Sequence, residues 1–135
     1  MGTLLDAYAL VALLEDESAA DDVERLVGSG ESAIPAINLA EAGQRVLRHA
    51  AIEADELRSV VSSLPIAVIP LTEAHAWRAA ELRAGHYRRG DSEVSLADCC
   101  LVAVATAADR VATADPAVLR MAAAEGLATI ELPRP

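Results

Sequence analysis

The chain has 135 residues, 53% of them hydrophobic and 24% charged, enough apolar material for one ordinary core and too little charge for an intrinsically disordered chain. All eleven basic residues are arginine, which excludes a Walker A loop, a Schiff-base lysine and a phosphoacceptor receiver site, since each depends on a Lys. With a net charge of −10, one Trp and two Tyr, the molecule as a whole repels nucleic acid and lacks stacking platforms, so any contact with RNA must be local or assisted by a metal.

Gly2 to Leu5 is an apolar run that predicts a short strand, and Asp6 stands where it joins a helix over Ala7 to Leu14. Ser18 to Asp21 has capping-box spacing and opens a predicted helix to Val27, closed by Gly28 and Gly30. A second strand, Ser32 to Pro35, leads to a helix that Asn38 is expected to cap and that carries Glu41, Arg45 and Arg48. A helix over Glu53 to Leu64 follows, then a buried strand Ile66 to Ile69 and a long helix from Thr72 towards Arg89. Ser95 opens a helix to Ala108; Arg110 to Ala112 is a strand, Pro116 to Glu125 a helix and Ala128 to Leu132 a last strand.

Neither a repeat nor a linker interrupts this alternation, so a single domain over residues 1–135 is expected. Wholly apolar strands separated by helices predict a parallel sheet covered on both faces, a three-layer α/β/α sandwich. In such sheets ligands gather beyond the carboxyl ends of the strands, at a topological switch point. Adjacent Cys99 and Cys100 suit neither a disulfide framework nor a C-x-x-C motif and read as small core residues of a cytoplasmic protein. The apolar stretch Leu4 to Leu14 is broken by Asp6 and falls short of the roughly 18 residues of a membrane span, so no membrane association is expected.

Among many acids, the informative ones are isolated inside apolar sequence. Asp6 is the only charge between Met1 and Leu14, and Asp98 the only one between Ser95 and Ala108. A carboxylate buried in such a helix costs several kcal/mol unless it is paired, and a divalent cation is one such partner. Asp115 follows the Arg110 strand, and Glu41 follows the strand at Ile34. Each acid taken alone reads as a helix cap: Asp115 before Pro116, Ser95 with Asp98, Asn38 with Glu41, and Asp6 before the first helix. Capping and coordination are compatible, because a helix N-terminus keeps a carboxylate ionised. Oxygen donors without a Cys or His cluster favour Mg²⁺ or Mn²⁺ over zinc. His49, His75 and His86 have no ligand spacing to one another. Arg45 and Arg48 share a helical face with Glu41, suited to RNA phosphates or simply to solvent, and Glu41 can pair with Arg45. Arg83, Arg88 and Arg89, with His86 and Tyr87, form the only local basic stretch, with the same two readings.

At Leu4-Leu5-Asp6-Ala7-Tyr8-Ala9-Leu10, Asn38-Leu39-Ala40-Glu41, Ser95-Leu96-Ala97-Asp98 and Ala112-Thr113-Ala114-Asp115-Pro116 the sequence resembles the PIN-domain ribonucleases, most closely the VapC toxins of type II toxin–antitoxin systems. The match spans nearly the whole chain. The resemblance implies a PIN-like fold in which Asp6, Glu41, Asp98 and Asp115 are both the catalytic and the metal-binding residues, holding Mg²⁺ or Mn²⁺ for hydrolysis of RNA phosphodiesters by a metal-activated water. Thr113 and Ser95 would support these carboxylates, and Arg45, Arg48 and Arg89 would contact RNA. The implied partners are the RNA substrate, a VapB-like antitoxin and a second copy of the chain, in a homodimer or a larger assembly with antitoxin. One departure is Ala7, where the family often has a small hydroxyl residue that would support Asp6. Two further classes remain: a catalytically silent PIN-like binding or scaffold module, and a metal-dependent phosphatase or DNA nuclease on an α/β sheet, of which the haloacid-dehalogenase-type phosphatases are disfavoured by Tyr8, where they call for a second Asp.

Overall fold

The computed structural model describes residues 2–135. Five strands, β1 (Thr3–Leu5), β2 (Ser32–Pro35), β3 (Ile66–Ile69), β4 (Arg110–Thr113) and β5 (Ala128–Glu131), alternate with seven helices. Helices α1 (Ala7–Glu15) and α2 (Ala20–Gly28) join β1 to β2, and α3 (Ala36–His49) and α4 (Ala54–Ser62) join β2 to β3. Helices α5 (Glu73–His86) and α6 (Leu96–Val104) cross from β3 to β4, and α7 (Pro116–Ala124) joins β4 to β5. All pairings are parallel, in the order β3-β2-β1-β4-β5. The chain winds outward from β1 to one edge, returns to β4, and winds to the other.

The pleat divides the core in two, because successive strand residues face opposite sides of the sheet. Leu4 and Val111 pack with α5, α6 and α7, whereas their neighbours Leu5 and Ala112 pack with α1 to α4. Leu4 pairs with Val111 and Leu5 with Ala112 across β1 and β4, so each side receives level layers from both strands. The expected α/β/α sandwich is therefore the observed one. Helix α6 is buried throughout from Cys99 to Val104, in keeping with its nearly uncharged sequence. On α3, burial runs through Asn38, Ala42 and Val46, a single i, i+4 face. Among the described residues, no helix is long and apolar enough to cross a membrane.

Several local expectations are corrected. The Ser18 to Asp21 capping box does not form: Asp16 ends α1 in a left-handed turn, and α2 starts at Ala20 without a side-chain cap. Ala19, just before α2, and Ala20, its first residue, are both buried. Asn38 is not a cap either, because Pro35 leads from β2 straight into α3 with no intervening loop. Strand β3 is an edge, with Val68 47% exposed, rather than a buried strand. Helix α5 tolerates Gly85 but stops at His86, where Arg88 pairs with Ser92 around Gly90 at φ 76°. Helix α6 stops at Val104 because the Asp109 carboxylate takes the Thr106 backbone N–H at 2.8 Å and its hydroxyl at 3.0 Å, closing a turn.

Leu101 lies at the centre of α6 with no solvent exposure. Its replacement by Ala is expected to lower unfolding free energy by about 2–5 kcal/mol, read as a shifted urea midpoint at unchanged slope.

Candidate functional site

The winding reverses between β1 and β4, and it is past the carboxyl ends of these strands that the singled-out acids meet. Asp6, Glu41, Asp98 and Asp115 line one pocket of about 480 Å³, together with Ser95 and Arg45. Each acid is delivered by a different connection: Asp6 ends β1, Glu41 sits one turn into α3, Asp98 lies in the first turn of α6, and Asp115 precedes α7.

Three of the four also act as caps. Asp6 accepts the Ala9 N–H at 2.8 Å, and Asp115 accepts the Ala117 N–H at 2.9 Å with Pro116 opening α7. Asp98 and Ser95 form a reciprocal capping box: the Asp98 carboxylate accepts the Ser95 N–H at 2.9 Å, and the Asp98 N–H donates to the Ser95 hydroxyl at 3.0 Å. These bonds fix side-chain directions while leaving further lone pairs turned to the pocket. Capping and clustering are one arrangement here. The i, i+4 ion pair between Glu41 and Arg45 is not made, among the described residues.

Thr113 lies beneath the pocket, fully buried. Its hydroxyl donates to Asp6 at 2.5 Å and accepts the Asp115 N–H at 3.1 Å, so one oxygen ties two of the acids together. This supplies the support that Ala7 cannot give. Burial pushes the Asp6 carboxyl from its ordinary 3.8 up to about 6; the Thr113 and Ala9 bonds oppose the rise, and the charges of Asp98 and Glu41 add to it. Asp98 is raised as well, chiefly by burial, against its two Ser95 bonds and with Asp115 repelling it. The acids therefore sense one another across the pocket. Among the described residues no three His, Cys, Asp or Glu side chains form a ready-made metal-ligand group.

The arginines divide. Arg45 lines the pocket; Arg48 and Arg89 are exposed and lie outside its lining. Much of the basic stretch serves the fold: Arg83 stacks 4.5 Å above the Tyr87 ring and donates to the Val94 carbonyl at 3.1 Å, while His86 bonds Glu125 at 2.9 Å. Cys99 and Cys100 are buried free thiols, and burial holds Cys99 up at about 11, far from a reactive thiolate. Two contributions escaped the sequence reading. Buried Asn38 donates from its amide to the Ala97 carbonyl at 3.4 Å, linking α3 to the first turn of α6 and so Glu41 to Asp98. Arg134, beyond β5, joins the pocket lining with Tyr8; nothing local marks either residue, since only the fold brings the two ends of the chain together.

A short all-parallel sheet between helical layers, with four acids gathered where its winding reverses, is the architecture of a PIN-type α/β domain. The family model of the PIN domain matches residues 3–124, and the chain belongs to that family. In fold it is similar to a chain of VapBC2 from Rickettsia felis bound to a DNA fragment from their promoter, with a TM-score of 0.72 and 18% identity over 98% of this chain and 100% of that one. It is likewise similar to a chain of DNA-bound VapBC from Salmonella typhimurium (TM-score 0.70, 17% identity, 97% and 98% covered) and of FitAcB from Neisseria gonorrhoeae (0.69, 21%, 96% and 96%). No curated protein matches the chain.

The Asp6 shift sets a pH dependence. The unfolded chain loses this proton near 3.8 and the folded chain near 6, so stability falls as pH rises between the two values and is lower by about 3 kcal/mol above them. In EDTA, Asp6→Asn is expected to be more stable than the parent by up to about 3 kcal/mol at pH 7.5, with the gain gone at pH 3.5, as read by urea unfolding. Thr113→Val should act the other way, costing about 1–3 kcal/mol and raising the Asp6 titration measured by NMR, because a buried carboxylate loses its donor.

Proposed function

We propose that this chain is a metal-dependent endoribonuclease that hydrolyses RNA phosphodiesters, and that it serves as the toxin of a toxin–antitoxin pair. The observation that carries the reading is the convergence of Asp6, Glu41, Asp98 and Asp115 on one pocket at the sheet's switch point in a PIN-family chain. The donor set suits Mg²⁺ or Mn²⁺: carboxylate oxygens with no thiolate or imidazole among them, in a pocket with room for an ion that keeps several of its waters. Asp6, Glu41, Asp98 and Asp115 would hold it; when bound, the ion supplies a water of lowered pKa and positive charge beside the phosphoryl oxygens.

The remaining roles belong to the chain's own groups. Thr113 holds Asp6 in one orientation, Ser95 does the same for Asp98, and Arg45 offers a guanidinium to a phosphate at the pocket edge. A cluster of repelling carboxylates gathered around buried Asp6 also favours a partner's Arg or Lys, which would neutralise it and exclude metal. This supports a VapB-like antitoxin as the natural partner, in keeping with the fold shared with chains from VapBC and FitAcB. A homodimeric, cytoplasmic toxin completes the proposal.

Purified protein is expected to cut a mixed RNA pool in Mn²⁺ or Mg²⁺ and to stop in EDTA. Asp98→Asn, which keeps the acceptor for the Ser95 N–H, is expected to lose at least about a hundredfold in rate, since disturbing even an outer partner of a metal ligand costs about 10–100-fold. A chain that cuts none of many RNAs and binds no Mn²⁺ would overturn the nuclease reading in favour of a silent PIN-like scaffold module.

A further inference from the structure

The segment after β5 is pinned to the molecule at Leu132, while Pro133, Arg134 and Pro135 stay exposed along the surface. Leu132 is buried against the α1–α4 side of the core, and its N–H donates to the Thr113 carbonyl at 2.9 Å. One residue on, the Pro133 carbonyl accepts the Tyr8 hydroxyl at 2.8 Å, a contact between residues 125 positions apart. Arg134 and Pro135 then line the acidic pocket beside Tyr8, Asp6 and Asp115. The segment is stiff by composition, because Pro133 has a fixed φ and Arg134 precedes Pro135, which drives it to an extended conformation. It is thus anchored by two hydrogen bonds and held straight by two prolines.

Arg134 makes no hydrogen bond or ion pair with the chain, among the described residues, although it lines a pocket that four carboxylates share. Arg45 is in the same position: it lines the pocket and pairs with nothing. In a chain of net charge −10, two cations left unpaired beside four acids are what a polyanionic ligand needs on its approach. A strap built to block the pocket would instead bond its guanidinium to the carboxylates. Arg45 arrives from the β2 side of the sheet and Arg134 from the β5 side, so the two approach the pocket from opposite flanks.

We propose that Arg134 is a phosphate-binding residue for single-stranded RNA at this pocket, acting with Arg45, and that Tyr8 is its positioning residue through the bond to Pro133. The proposal rests on the nuclease reading and adds the residues that receive the RNA backbone. Because Arg134 would contact a phosphate and not the scissile water, its loss acts on binding more than on turnover.

The test uses an RNA oligonucleotide that the parent protein cleaves. Arg134→Ala is expected to raise KM about tenfold with kcat within about twofold, on the scale of a lost charge-assisted bond, and Arg134→Lys to recover part of the loss. Tyr8→Phe should raise KM about threefold, and should add nothing in the Arg134→Ala background, since both act through one contact. In the Asp98→Asn background, binding of fluorescein-labelled RNA should lose about 0.7 of its log–log salt slope on Arg134→Ala, the share of one single-strand phosphate contact. Unchanged KM and salt slope would overturn the proposal while leaving the nuclease reading intact. A rise in kcat/KM would overturn it by making the segment a block. Should the parent cut no RNA, the nuclease reading fails first, and equal RNA affinity with and without Arg134 then removes this proposal too.

Discussion

The site depends on the level, parallel pairing of β1 with β4. Because Leu5 stands beside Ala112, the residues that follow, Asp6 and Thr113, emerge together although 107 positions separate them. The Thr113 hydroxyl then does two things at once: it donates to the Asp6 carboxylate and accepts the Asp115 N–H. A slip of β1 by one residue would turn Leu5 to the wrong face and send Asp6 away from Thr113. Core and site are therefore coupled through the same register. The register is protected by burial on both sides, since Leu4 and Val111 fill one half of the core and Leu5 and Ala112 the other.

Around that pair the molecule concentrates negative charge where it is least comfortable. Burial raises Asp6 and Asp98, and the acids repel one another. What keeps them in place is backbone: the N–H groups of Ala9, Ser95 and Ala117 each engage one of the carboxylates at a helix start. Helix dipoles add partial positive charge at the same three points. The architecture thus stabilises anions with neutral donors and leaves their charge largely uncancelled, so a cation or a basic side chain from outside meets an unfilled demand. Arg45 and Arg134 border this demand without satisfying it.

Some of this was legible before any coordinates. Asp6 and Asp98 stood out because each is a lone charge in apolar sequence, and both proved to line the pocket with Glu41 and Asp115. The Ser95–Asp98 capping box and the start of a helix at Thr72 were equally plain, since both depend on residues within one turn of each other. Where local spacing misled, a tertiary demand had displaced it. Asn38 matches a cap by position, yet Pro35 leads into α3 directly and packing draws Asn38 inward to Ala97. The Ile66–Ile69 run is apolar enough for a central strand, yet its place at the sheet edge exposes Val68. Arg83 belongs to the only basic stretch, yet it is spent on Tyr87 and the Val94 carbonyl.

By itself the sequence determined the alternation of strand and helix, the parallel sheet with two covered faces, and the identity of the acids at the strand ends. These follow from period, apolar content and caps, all of which act within a few residues of chain. Tertiary structure alone decided the strand order, the reversal between β1 and β4, the bond from Thr113 to Asp6, and the return of Arg134 to the pocket beside Tyr8. Each of these joins residues more than a hundred positions apart or depends on which strand neighbours which. No local pattern encodes such a meeting, because it is the burial of two separate cores on one twisted sheet that brings the distant segments together.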